Sequence, residues 1–86
     1  MPRRQERSPE GQRFGEVIRR YRKERGLSQE ALAEAASLTA DYLGFIERGE
    51  NVPTLTVILK IAQALDVDAS DLLQEFTRAA LKRMKL

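Results

Sequence analysis

Between Gln29 and Arg48 the spacing of apolar residues leaves one set of side chains facing outward: Thr39, Ala40, Asp41, Gly44, Phe45 and Arg48, with Tyr42 at the flank. These residue types suit contact with a nucleic-acid duplex. Phe45 fits a thymine methyl, and Asp41 can accept a hydrogen bond from a cytosine amino group. Thr39, Ala40 and Gly44 are small enough to allow close approach. Gly44 costs a helix interior about 1 kcal/mol relative to alanine, which itself argues that something comes near. Arg48 and the amides behind Ser28 suit phosphate oxygens. Bond-making chemistry finds little to use. The chain has no cysteine and no histidine, which removes the thiol nucleophile, the disulfide, the commonest general base and the commonest nitrogen ligand for a metal. There is no paired acid–base constellation and no glycine-rich phosphate loop. An enzyme is therefore set aside, and no cofactor is expected.

The elements that must position these residues are helical. Sustained alternation and Asn-Gly or Asp-Gly turns between β-branched runs are missing, so strands are not expected. Ser8-Pro9-Glu10 reads as an N-cap, a proline at the first helical position and an acid facing the helix dipole. It predicts a helix over about 9–25, with Phe14, Ile18 and Tyr21 on one face, Val17 beside them, and Gly26 as its stop. Ser28 caps a short helix over about 29–36, and Thr39 caps another over about 40–48, which Gly49 ends. Pro53-Thr54 opens a fourth helix whose inner stripe is Leu55, Ile58, Ala62 and Leu65. Asp68-Ala69-Ser70-Asp71 has the form of a capping box. It begins a long fifth helix with Leu72, Leu73, Phe76, Ala80 and Met84 on a common face.

The turn between the second and third helices spans only about three residues, so the two must cross steeply rather than lie antiparallel. Leu32, Ala36, Leu43 and Ile46 form the inner faces, Leu38 plugs the turn, and Ala33 lies where the helices come closest. With 86 residues, the chain has room for one core. It contains no apolar run of the roughly 18 residues a membrane span needs, and its first residues lack the apolar core of a signal peptide. A cytoplasmic protein is expected. The net charge is +2, and it is unevenly spread. Arg3, Arg4 and Arg7 outweigh Glu6 at one end; Arg78, Lys82, Arg83 and Lys85 outweigh Glu75 at the other; residues 10–73 are net negative. The expected layout is a flexible basic arm over 1–8, a domain over 9–73, and an extension of the fifth helix over 74–86.

Ile18-Arg19, Arg22, Gly26-Leu27-Ser28-Gln29-Glu30, Leu32-Ala33, Tyr42-Leu43, Ile46-Glu47-Arg48-Gly49, Pro53, Ile61-Ala62 and Ala64-Leu65 together resemble the phage Cro/repressor-like (XRE-type) helix-turn-helix family, over roughly residues 13–73. The resemblance implies an all-α, compact five-helix, lambda-repressor-like fold with the helix-turn-helix at helices 2 and 3. It also implies a homodimer that regulates transcription from a palindromic double-stranded DNA operator. By position, Gln29 resembles a residue that grips a phosphate and buttresses the recognition helix. Ala40, Asp41 and Phe45 match base-reading positions, while Tyr42, Arg48 and Asn51 match backbone-contacting ones. Arg22 and Glu47 resemble an internal ion pair. Ser37 stands where the family's turn has glycine, which predicts strain there. The reading face has no Arg, Asn or Gln, so modest selectivity is expected.

The fifth helix carries more apolar surface than the core needs. Phe76, Ala80, Leu81 and Met84 extend beyond it and are the expected two-fold contact, which would place half-sites about 34 Å apart. Arg3, Arg4 and Arg7 are expected to follow the DNA backbone or minor groove. Two functions remain: a small DNA-binding repressor or controller of a restriction-modification or similar locus, and an antitoxin-like module whose main partner is a small protein.

Overall fold

Six helices and no strand occur in the computed structural model, which describes residues 7–86. Arg3 and Arg4 of the expected arm lie outside the described residues. The helices are α1 (Pro9–Glu24), α2 (Gln29–Ala35), α3 (Ala40–Glu47), α4 (Leu55–Leu65), α5 (Ala69–Leu72) and α6 (Arg78–Arg83). Among these residues no helix is long and apolar enough to cross a membrane.

Side-chain caps set every start. The hydroxyls of Ser8, Ser28, Thr39, Thr54 and Thr77 each accept from an amide in the first turn of α1, α2, α3, α4 and α6. Asp68 and Asp71 form a reciprocal capping box at α5. The first four stops share one device, a left-handed residue flanked by two returning backbone bonds. Gly26 at φ +67° and Gly49 at φ +75° supply it after α1 and α3. Ser37 at φ 57° and Asp66 at φ 58° supply it after α2 and α4. In the α2–α3 turn, Ser37 N–H donates to the Glu34 carbonyl at 3.1 Å and Leu38 N–H to the Ala33 carbonyl at 2.8 Å. Leu38 is thereby turned inward over Ala33, half-buried against the core.

That core is formed by Phe14, Val17 and Ile18 from α1, Leu32 and Ala33 from α2, Leu43 and Ile46 from α3, Ile61, Ala62 and Leu65 from α4, and Leu72, with Ala36 in the turn. The largest of these side chains contribute about 1.5–3 kcal/mol each on burial. Gly15 lets α1 lie directly on the end of α3. A Cβ at Gly15 would meet the Ile46 carbonyl and come 2.7 Å from the Glu47 carbonyl oxygen, a clash with backbone on both counts.

Three expectations are corrected. The long fifth helix is two short ones: α5 is a single turn, the chain bends through Leu73–Thr77, and α6 starts afresh, so the count is six rather than five. The cause is tertiary. Glu75 pairs with Arg20 of α1 at 2.6 Å and approaches Arg13 at 3.6 Å, while Phe76 folds back onto the core. Thr77 then caps a new helix at Ala80 N–H, at 3.1 Å. The 74–86 segment is therefore not an extension of the fifth helix; it returns beside Pro9 and Arg13 at the start of α1. Leu55, at the first position of α4, is 67% exposed rather than inward.

A serine in the left-handed region carries a steric cost of about 1–2 kcal/mol. Ser37→Gly is expected to raise stability by about 0.5–1 kcal/mol, because glycine's larger unfolded-state entropy cancels part of the relief. A thermal midpoint that stays level or drops would rule out strain in this turn.

Candidate nucleic-acid interface

One buried carboxylate organises this end of the molecule. The Glu47 side chain is 2% exposed, and Arg22 meets it with two bonds, Nε to Oε2 at 2.8 Å and Nη2 to Oε1 at 3.0 Å. Gln29 Nε2 donates to the same Oε1 at 3.0 Å, and Arg22 Nη1 donates to the Leu27 carbonyl at 2.8 Å. The C-terminal turn of α1, the start of α2 and the end of α3 are thus joined through three side chains. The hydrogen bond to Glu47 raises the Arg22 pKa against the opposing effect of burial, so its charge is held.

With α3 fixed from beneath, its far side is open. Thr39 and Asp41 are exposed at the helix start, and Phe45 is 44% exposed one turn on. Arg48 is exposed at the end, its guanidinium 5.1 Å from the centre of the Phe45 ring. The Thr39 hydroxyl already accepts from Tyr42 N–H at 3.1 Å, which leaves its own proton free to donate outward. Ser28 is exposed beside the start of α2, where its hydroxyl caps Ala31. Arg19, Arg22, Gln29, Glu47 and Arg48 line a polar recess between α1, α2 and α3. A recess edged by arginines, next to a row of small, apolar and acidic groups, can hold a phosphate while the row meets base edges.

The structure separates some residues that the sequence grouped. Gly44 is buried, not outward: a Cβ there would sit 3.0 Å from Arg48 Nη1 and 3.8 Å from Gln29 Oε1, so the Arg48 side chain lies back over it. The close approach inferred from Gly44 is made by the protein's own arginine. Ala40 also leaves the outer row, half-buried against the core, as is Tyr42 at the flank. Asn51 is half-buried in the loop before α4. At the other end, Phe76 packs on the core, Ala80 and Met84 face Pro9 and Arg13, and Leu81 is 42% exposed. Two residues escaped the sequence reading. Gly15 sits mid-helix, which was the available signal. Glu50 accepts from both Arg7 and Arg48 through one oxygen, at 3.0 and 3.2 Å, an arrangement spanning 43 residues that local pattern does not reveal. These two guanidinium bonds, Arg7's first, hold the Glu50 carboxyl below its ordinary pKa.

A helix-turn-helix family model (HTH_3) matches residues 18–72. The control protein C.SmaI of Serratia marcescens is 42% identical over 69 residues, covering 80% of this chain and 79% of the relative. The immunity repressor of Bacillus phage phi105 is 41% identical over 63 residues, covering 73% of this chain and 44% of that longer protein. Among solved structures, the restriction-modification controller protein C.AhdI from Aeromonas hydrophila superposes with a TM-score of 0.72 at 41% identity, covering 73% of this chain and 96% of its own.

Removing one member of a buried ion pair leaves the other uncompensated, at a cost of about 3–5 kcal/mol. Glu47→Ala is expected to lose that much in urea unfolding, and the apolar pair Arg22→Met with Glu47→Leu to recover most of it. A loss below about 1 kcal/mol in the single variant would mean the pair behaves like a solvated surface bridge.

Proposed function

This chain belongs to the helix-turn-helix family HTH_3, and we propose that it is a cytoplasmic transcriptional regulator that binds a palindromic DNA operator as a homodimer. The observation that carries the reading is the outer row of α3, open to solvent while its base is clamped by Glu47. An α-helix fits the major groove of B-DNA, and in this class of motif the first turns of the second helix contact base edges. Thr39, Asp41 and Phe45 then read bases: a hydroxyl donor, an acceptor for a cytosine amino group, and an apolar face for a thymine methyl. Ala40 and Gly44 act by being small, letting α3 sit deep and Arg48 lie flat. Ser28, Gln29, Tyr42, Arg48 and Asn51 serve the phosphates, with Gln29 tied to Glu47 and so fixed relative to α3.

A single α3 reads too few base pairs for useful affinity, which motivates the two-fold pairing. Beside the expected contact of Phe76, Ala80, Leu81 and Met84, of which Leu81 is 42% exposed, further apolar surface is available for it. Leu55 and Leu59, one turn apart on α4, are 67% and 48% exposed, and Leu73 is 40% exposed. Leu73 also edges a groove with Val52, Pro53, Ile58 and Phe76. We place the dimer contact on this α4–α5 surface, with Phe76 and the α6 residues Ala80, Leu81 and Met84 at its margin.

Selection of bound sequences from random duplex DNA at near-physiological salt is expected to enrich an inverted repeat with half-site centres about 34 Å apart. No enrichment would instead favour the rival reading, a protein-interaction module that uses the exposed Phe45. Leu73→Asp is expected to sediment as a monomer with an unchanged helical spectrum. A variant that still sediments as a dimer would remove the α4–α5 contact.

A further inference from the structure

Glu50 is bonded to Arg48, one of the residues that line the proposed phosphate recess, and is not part of the Arg22–Gln29–Glu47 cluster. Its side chain is 21% exposed, and a single oxygen, Oε2, bonds Arg7 Nη2 at 3.0 Å and Arg48 Nε at 3.2 Å. Both arginines are half exposed. Arg48 is therefore held on three sides: Glu50 on its Nε edge, the Phe45 ring 5.1 Å from its centre, and the Gly44 backbone beneath Nη1. What stays open is the Nη edge, which borders the recess shared with Arg19 and Gln29.

We infer that Glu50 is a specificity-determining positioning residue: its carboxylate holds the guanidiniums of Arg7 and Arg48 in one cluster and so restrains their attraction for phosphate on non-cognate DNA. The inference rests on the DNA-binding reading above and deepens it. The physics is twofold. A carboxylate between two guanidiniums cancels one positive charge where the duplex backbone would pass, and non-specific affinity is almost wholly this electrostatic attraction. It also fixes the direction of the Arg48 fork, so that a phosphate gains the full contact only when it enters the recess while α3 is seated in the groove. A freely swinging arginine would reward a phosphate in any register. The bond to Arg7 adds reach, because the same oxygen ties Arg7, next to the N-cap of α1, to Arg48 at the end of α3. The carboxyl's lowered pKa, caused by the same two bonds, keeps it charged.

The test uses the full chain and measures binding to two fluorescent duplexes, one random and one carrying the selected repeat, across a salt series. For Glu50→Gln and Glu50→Ala, the random duplex is expected to bind about 3–10-fold tighter, with the salt slope steeper by about one phosphate contact. The selected repeat should gain less, so the ratio between the two falls. Thermal midpoints should stay near the parent value, since exposed pairs contribute about 0–1 kcal/mol. Arg48→Ala should weaken both duplexes and flatten the slope. Unchanged or weaker random-duplex binding in both Glu50 variants overturns the inference and leaves the DNA-binding reading standing. A parent protein that binds neither duplex at any salt overturns both.

Discussion

The geometry of this end of the molecule depends on a carboxylate taken out of water. Stripping solvent from Glu47 and Arg22 costs several kcal/mol per ion, and their attraction repays it only with good geometry and satisfied remaining atoms. Both conditions hold here: the contact is two-pronged, Gln29 takes a further lone pair, and the Leu27 carbonyl occupies a remaining Arg22 donor. A leucine in place of Glu47 would fill similar space. It would not tell α2 where α3 ends, because apolar contact has no direction and these hydrogen bonds do. Gly15 belongs to the same constraint, since any side chain there would lift α1 off the α3 carbonyls and lengthen the Arg22–Glu47 bonds.

The α2–α3 turn supplies the other half of the geometry. With α2 ending at Ala35 and α3 starting at Ala40, the intervening residues must reverse the chain and bury Leu38. The left-handed residue at Ser37 makes both possible by sending two amides back to α2. The fold tolerates a serine there because the returning bonds and the Leu38 contact outweigh its steric cost. The crossing of α2 and α3 is thus set by backbone bonding at one end and by Glu47 at the other. The side chains on the outside of α3, Asp41 and Phe45, are free to vary without altering the angle.

How much of this was readable in advance follows from the range of each interaction. The caps at Ser8, Ser28, Thr39 and Thr54, the glycine stops and the Asp68–Asp71 box act within four residues, and pattern alone located them. The break between α5 and α6 was hidden. Residues 69–84 carry a continuous helical stripe, and the chain turns where Phe76 packs inward and Glu75 meets Arg20, 55 residues away in sequence. The Asp66 stop was missed because it is not a glycine, although Asp tolerates the left-handed region better than most. In the candidate site, the outward direction of Asp41 and Phe45 followed from helical period. Burial of Gly44 did not, because it depends on where a long flexible side chain four residues later chooses to lie.

Charge shows the same limit. The net negative middle of the chain weighs against a polyanionic partner if residues are simply summed. In the folded molecule the acids are not distributed as that sum assumes. Glu47 is internal and neutralised, and Glu75 is paired with Arg20 and Arg13 of α1. At the recess, Arg19 and Arg48 face solvent, and Arg48 alone of the two is paired with an acid, Glu50, among the described residues. A duplex senses charges mainly within a Debye length, about 8–10 Å at ordinary salt, so the field it meets is that of a few side chains rather than of the chain. By this reasoning a small regulator can remain nearly neutral overall, limiting indiscriminate binding, while keeping a short cationic edge beside its reading helix. The number of such cations left unpaired then sets non-specific affinity, which makes the acids that pair with them as consequential as the arginines themselves.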